Sequence, residues 1–347
     1  FRQHHANMLF EQVNGSIGTD FAELRAYMIG NLMWNPDIDA DRCMNDFLCA
    51  YYGKAAPYMY RYLQLQQGAL LASGKELWIY DSPITHKDGM LNAPLRKAYN
   101  ELFDKAEKAV SDNSEELKRV RISRLPLMYS ELEIARTQTG TDAERLRQMV
   151  SLFRDRCTEY GIPTLNERKN SPAEYCDLYL KRYLPSNEVN KALGAKVTFI
   201  APPAERYRKS GLQAITDGLH GGTSYVEGWV GWEGKDAEFV IDLGKEESIT
   251  TLSADFLHQL GAWVLLPKSV SYAVSTDNKT FTPFGNTYEF AEDRDVKIKF
   301  VQGTVTTNRP VVARYIKVKV ETLGQCPAWH YGVGYPAWFF LDEVRAQ

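Results

Sequence analysis

The side chains best suited to chemistry in this sequence are aromatic. Trp229, Trp232, Trp329, Tyr331 and Tyr335 fall in two stretches, 226–233 and 326–336, interleaved with glycine and proline. Indole and phenol rings pack on the apolar faces of sugars, so rings carried on loops predict stacking on a carbohydrate. Trp232 and Trp329 lead as stacking residues, Tyr331 follows, and His330 stands beside them as a polar neighbour. The competing assignment for each ring is the core, where aromatics supply much of the buried area. Trp263 and Trp338 lie in runs that read as strand and are assigned to the core.

Other chemistries lack support. There is no P-loop, GxGxxG, GxSxG or HExxH, which leaves nucleotide binding, serine hydrolysis and zinc proteolysis without a motif. A net charge of -3 gives no electrostatic reason to expect nucleic acid. The 5 cysteines include no CxxC pair and are expected to be buried free thiols. No apolar run is long enough to cross a membrane, and no secretory leader is visible.

The elements that must position these residues fall into two textures. The 347 residues suffice for two or three domains. From 21 to 185 the pattern is helical. Asp20 and Glu23 read as a capping box, Asn35-Pro36 and Gly53 as stops, and Pro57 and Pro94 as first-turn prolines. Pro126 reads as a kink, Thr141 with Glu144 as a cap, and Ser171-Pro172 with Glu174 as a last start. Short connections predict an antiparallel bundle. From 186 to 347, short β-rich runs follow at 196–200, 237–243, 249–257, 269–275, 296–301, 313–321 and 337–344. Several short strands between turn signals predict an antiparallel sandwich or jelly roll. The fold class is therefore α + β multidomain: a helical module, then a β-sandwich. The opening FRQHHANMLFEQVNG reads as a strand running into a loop with no strand before it. Residues 1–20 are thus expected to be the tail of a truncated domain.

The second half resembles the coagulation factor five/eight type C, or discoidin-like, domain. The carrying residues are AITDGLHGG, AEFVIDLGKEESITTL, VSYAVSTDNKTFTPF, ARYIKVKV and FFLDEVRA, five ordered motifs over most of 186–347. GWVGWEGKDAEFVIDLG, FLHQLGAWVLLPKSV and CPAWHYGVGYPAWFFLDEV resemble the C-terminal modules of bacterial β-hexosaminidases. The first half resembles the C-terminal part of an uncharacterised bacterial family with a (β/α)8 barrel similar to α-glucuronidases. LFEQVNG, FAELRAYMIGNLMWNPDIDADRCMNDFLCAYYGKAAPYMYRYL and LRKAYNELFDKAEKAV carry that likeness.

These resemblances imply roles for single residues. Glu11, in the FEQ that would end a late barrel strand, becomes the one catalytic candidate, because carboxylates at strand C-termini line barrel active sites. Glycoside hydrolysis usually takes two carboxylates, and no partner for Glu11 can be named. His4 and His5 could line the same pocket or simply be solvated. The discoidin-like resemblance implies a structural Ca2+ held by backbone carbonyls with Asp217, Thr223 and Glu343; the alternative is an Asx-turn at Asp217 and a surface pair at Glu343. The expected function is glycan or polysaccharide recognition by the accessory part of a secreted, periplasmic or cell-surface bacterial glycoside-hydrolase-like protein, whose catalytic barrel lies upstream. The alternatives are one wall of a glycosidase pocket, or a purely structural docking module. Whether the parent is an enzyme stays open, and the chain alone is expected not to hydrolyse glycosides.

Overall fold

The computed structural model describes residues 4–6, 8–13, 15–79, 81–165, 170–185, 188–207 and 214–347. The chain divides into two compact units, 1–185 and 186–347.

In the first unit, seven α-helices are found among the described residues: α1 (Ala22–Trp34), α2 (Ala40–Tyr52), α3 (Ala56–Ala72), α4 (Ala93–Ala109), α5 (Ser114–Ala135), α6 (Ala143–Glu159) and α7 (Pro172–Leu178). The expected punctuation places most ends. Gly53 caps α2 at its C-terminus, Pro57 and Pro94 sit in first turns, and Ser171 forms a reciprocal capping box with Glu174. Two caps fall elsewhere. Phe21, in left-handed conformation and without a side-chain cap, precedes α1 in place of Asp20. Asp142, not Thr141, is the N-cap of α6 and accepts from Glu144 N, while the Thr141 hydroxyl donates back to Gln138 O. The unit holds two apolar clusters, and α5 serves both. Val120, Leu127 and Ile134 face the α1–α4 side; Ile122, Leu125 and Leu132 face α6 and α7. A helix apolar on two faces must be sandwiched, and α5 runs as one helix through Pro126.

Residues 8–13 form no strand, contrary to the reading of ANMLFEQ, and Glu11 is exposed. Ala6 lies outside regular structure, and Asn7 and Asn14 lie outside the described residues.

The second unit is an antiparallel β-domain. Its strands are β1 (Lys196–Ala201), β2 (Val230–Glu233), β3 (Ala237–His258), β4 (Ser269–Ser275), β5 (Thr282–Pro283), β6 (Tyr288–Glu289), β7 (Lys299–Glu321) and β8 (Trp338–Ala346). The main order is β2-β8-β3-β7-β4-β5, with β1 on β3 and β6 on β4. β3 and β7 are each one long bent strand where the sequence reads two. Their ladder shifts register between Asp242 and Glu247 and again between Ile249 and Thr251. Bulges of this kind bend a strand and increase its twist. The N-terminal part of β3 therefore pairs with β1, its C-terminal part with β8, and β7 accompanies both. Phe239, Ile241, Ile316 and Val318 from one layer share a core with Leu252, Phe256, Val305 and Leu341 from the other. Alternation along each strand supplies that inward face.

Candidate functional site

Where β3 ends, the chain makes a tight turn at Leu260–Ala262, and Trp263 follows with φ 63. A bulky residue at positive φ is strained. Bridges tie the turn down: Gln259 pairs with Val264, and Val264 with Trp338 at the start of β8. The sequence assigns Trp263 to the core; the ring is half-buried, packing against the cluster of Leu260 and Leu265 while it edges a surface cleft.

That cleft has a volume of about 190 Å³ and is walled by Tyr207, Tyr225, Trp263, Trp338 and Phe340 with Arg206. Its rings are locked to one another. Tyr207 meets both Trp338 and Phe340 edge-on, each at 5.1 Å, and Tyr225 meets Phe340 at 5.5 Å. The Arg206 guanidinium lies over Trp338 at 4.7 Å and over Tyr207 at 5.1 Å. Glu233 Oε2 stands 3.9 Å from Arg206 Nη2. An exposed cationic donor thus sits near a carboxylate on an aromatic wall. The first can bind hydroxyl or carboxylate oxygens, the second can accept from hydroxyls, and the rings can take an apolar face.

The expected stacking residues fare differently. Trp232 is only 1% exposed. It lies on β2, not in a loop, and stacks flat on Phe339 at 5.3 Å, with Nε1 donating to Ala201 O at 3.1 Å. Alternation along β2 points it inward, so it belongs to the core. Trp229 is likewise buried, parallel to Phe300. His330 is 3% exposed; its Nδ1 accepts from Gly332 N and its Nε2 faces Leu260 O, so it braces the turn and presents no edge to solvent. Trp329 is half-buried: its Nε1 donates to Glu292 Oε2 at 2.7 Å and Arg294 covers its ring. Tyr331 and Tyr335 do stand out, at 68% and 62% exposed, and both rings contact Trp263. Sequence reasoning missed Arg206, Tyr207 and Tyr225. A short turn holding Glu205-Arg206-Tyr207 carries no motif, and only the fold brings it to β8.

The expected calcium residues lie at a second place, where β8 meets the loop 214–222. On β8, Asp342 pairs with Asp255 and Val344 with Ala254, which leaves Glu343 as an extra, bulged residue. The bulge turns two consecutive carboxylates to the same loop. Gly221 N donates to Asp342 Oδ2 at 2.7 Å, and Gly218 N to Glu343 Oε2 at 2.9 Å. Asn190 Nδ2 donates to the other Glu343 oxygen at 3.1 Å. Asp217 forms an Asx-turn onto Leu219 N. Burial, with repulsion from Asp342, pushes the Glu343 carboxyl up to about 8. Burial also pushes Asp217 up to about 6, again with a contribution from Asp342. Glu343 is 1% exposed, so it is no surface pair. Thr223 is half-buried and, among the described residues, shares no hydrogen bond with Asp217 or Glu343.

His220, Asp255 and Asp342 converge beside this bulge, with donor atoms within 4.8 Å of one another. Arg345 Nη2 lies 2.8 Å from His220 Nε2. An arginine can only donate, so Nε2 accepts and Nδ1 carries the proton toward Asp255 and Asp342, at 3.5 and 3.7 Å. A cation at Nδ1 would have to displace that proton to Nε2, against the guanidinium. The trio is a close-set polar cluster that links the loop to β3 and β8, with His220 Nδ1 at ion-pair distance from both carboxylates. Of the 5 cysteines, Cys157, Cys176 and Cys326 are buried as expected, whereas Cys49 is exposed and Cys43 half-buried, because α2 turns them off its packed face.

Residues 202–339 match the F5/8 type C domain. Residues 1–64 match a domain of unknown function, DUF4838. No curated protein matches the chain. Similar solved structures include CpGH89CBM32-5 from Clostridium perfringens in complex with GalNAc-β-1,3-galactose. It is 16% identical with a TM-score of 0.29, over 44% of this chain and 94% of that one. A Streptococcus pneumoniae fucose binding module, SpX-3, is 11% identical with a TM-score of 0.30, over 46% and 98%. Chitosan-binding module 1 from a Paenibacillus chitosanase/glucanase is 16% identical with a TM-score of 0.29, over 46% and 99%. No helix among the described residues is long and apolar enough to cross a membrane.

Proposed function

We propose that the F5/8 type C domain recognises carbohydrate in the cleft between Arg206 and Trp263. The observation that carries this is Arg206 lying across Trp338 and Tyr207, with Glu233 at its side. A sugar has an apolar ring face and a rim of hydroxyls, and the cleft offers a counterpart to each. In this reading the chain is the accessory portion of a secreted bacterial glycoside-hydrolase-like protein with an upstream barrel, an assignment that rests on sequence resemblance. The test is a glycan array followed by calorimetric titration. Arg206→Ala should weaken binding about tenfold or more, the loss of roughly 1.4 kcal/mol of contact, with an unchanged melting temperature. Failure of every glycan to bind, or parent-like binding by Arg206→Ala, would overturn the proposal.

We also propose that Asp217 and Glu343 serve a structural Ca2+. Two carboxylates crowded at one loop, both pushed up by burial and like charge, form an all-oxygen set whose repulsion a hard cation would relieve. Calcium would supply order to the loop 214–222 and no chemistry to a ligand.

A further inference from the structure

Trp263 edges the cleft that holds Arg206. It also contacts two rings that do not line that cleft, Tyr331, with ring centroids 5.7 Å away, and Tyr335, at 5.4 Å. These tyrosines are largely exposed, yet they are not loose. Tyr331 Oη donates to Gly261 O at 2.9 Å, and its ring stacks on the buried His330 at 4.4 Å. Gly332 lies flat against the indole: a Cβ there would come within 3.0 Å of the Trp263 ring. Tyr331 is therefore held in place before a ligand arrives and Tyr335 rests against Trp263, both next to a cleft of about 190 Å³. Exposed aromatics that are braced from behind are a binding device, because the ordering is complete before the ligand arrives.

We infer that the site takes an oligosaccharide and not a single sugar: one unit in the cleft by Arg206, and the next on the ridge formed by Tyr331 and Tyr335, with Trp263 as the wall between them. The inference rests on the carbohydrate reading of the cleft. It adds that affinity depends on chain length, and it assigns that dependence to two residues outside the cleft.

The experiment uses the whole chain. An array of immobilised mono- to tetrasaccharides of common neutral and amino sugars identifies the series that binds, and titration calorimetry then measures one, two, three and four units of it. The expected result is a gain of about tenfold from one unit to two, which corresponds to roughly 1.4 kcal/mol, and little gain beyond two. Tyr331→Ala and Tyr335→Ala should each reduce that gain and leave affinity for the single unit unchanged. Tyr335→Ala guards against misfolding at Tyr331, since no hydrogen bond anchors its phenol among the described residues. Tyr331→Phe, which keeps the ring, should retain most of the gain. If the single unit binds as tightly as the pair, or the gain survives both alanine variants, the ridge is not a subsite while the cleft still is. If no sugar of any length binds, both readings fall.

Discussion

Asp342 and Glu343 are consecutive on β8, yet both carboxylates receive amides from one loop, Gly221 on the first and Gly218 on the second. In a regular strand they would point to opposite faces. The bulge at Glu343 cancels the alternation and concentrates negative charge, with Asp217 close by.

That concentration gives the domain a pH dependence when no cation is supplied. Asp217 and Glu343 have folded pKa values of about 6 and about 8, above their unfolded values of 3.8 and 4.5. A carboxyl raised in the folded state favours folding when protonated, and this contribution disappears as pH rises through the folded value. In chelator, the melting temperature of the β-domain should therefore fall between about pH 5 and pH 8. Glu343→Gln should flatten the fall. A melting series in buffers of equal ionic strength reads it.

Calcium should offset the same repulsion. A ligand that binds only the folded state adds about 2.7 kcal/mol at a hundredfold excess over Kd. Melting should move up with Ca2+ and back with chelator, by more at pH 8 than at pH 5. Asp217→Ala should abolish the shift. A shift that survives Asp217→Ala places the ion elsewhere.

Trp232 and Tyr335 should behave as opposites. Trp232→Ala removes a fully buried ring packed on Phe339 and should cost about 3–5 kcal/mol of stability by denaturant titration. Tyr335→Ala removes an exposed ring and should stay within about 0.5 kcal/mol of the parent.

Gly221→Ala should loosen the loop. An added Cβ would meet the Trp229 indole within 2.4 Å, and Trp229 is pinned by Phe300 and by its own bond to Gly222 O. Overpacking of this kind costs about 1–3 kcal/mol. The loss should appear by chemical denaturation, and the hydrogen exchange of the Gly218 and Leu219 amides should quicken.

The isolated chain should not turn over aryl glycosides. Glu11 is exposed and lies on no strand. Turnover that Glu11→Gln abolishes would count decisively against this.

Much of the architecture was legible because its signals are local. Gly53, Pro57, Pro94 and Ser171 act on their own turns, and alternation marks β1 and β4 within a few residues. The Asp217–Glu343 neighbourhood was legible only through ordered motifs far apart in sequence. The cleft was not, since Arg206, Tyr225 and Trp338 meet through tertiary folding alone. Trp232 misled because it lies between glycines, which read as loop, whereas Gly231 is needed for the Phe340 ring that a Cβ would strike at 2.4 Å. The breaks read between 243 and 249 and between 301 and 313 are register shifts and continued ladder within β3 and β7, and a shift leaves the same sequence trace as a turn.

The continuity of those two strands bears on how the domain comes apart. β3 and β7 each run through both layers, and they pair from Ala237 to Asp242 and again, after the shift, from Glu247 to His258. Neither layer owns its central strands, so neither can peel away and leave the other intact. A local opening at one rim would have to propagate along the shared pair. Amides in the paired stretches on either side of the shift, such as 239–241 and 252–256, should consequently exchange only through whole-domain unfolding, whereas a protease that samples partial openings would find its cuts at the turns and at the exposed residues 244–246, outside the ladder.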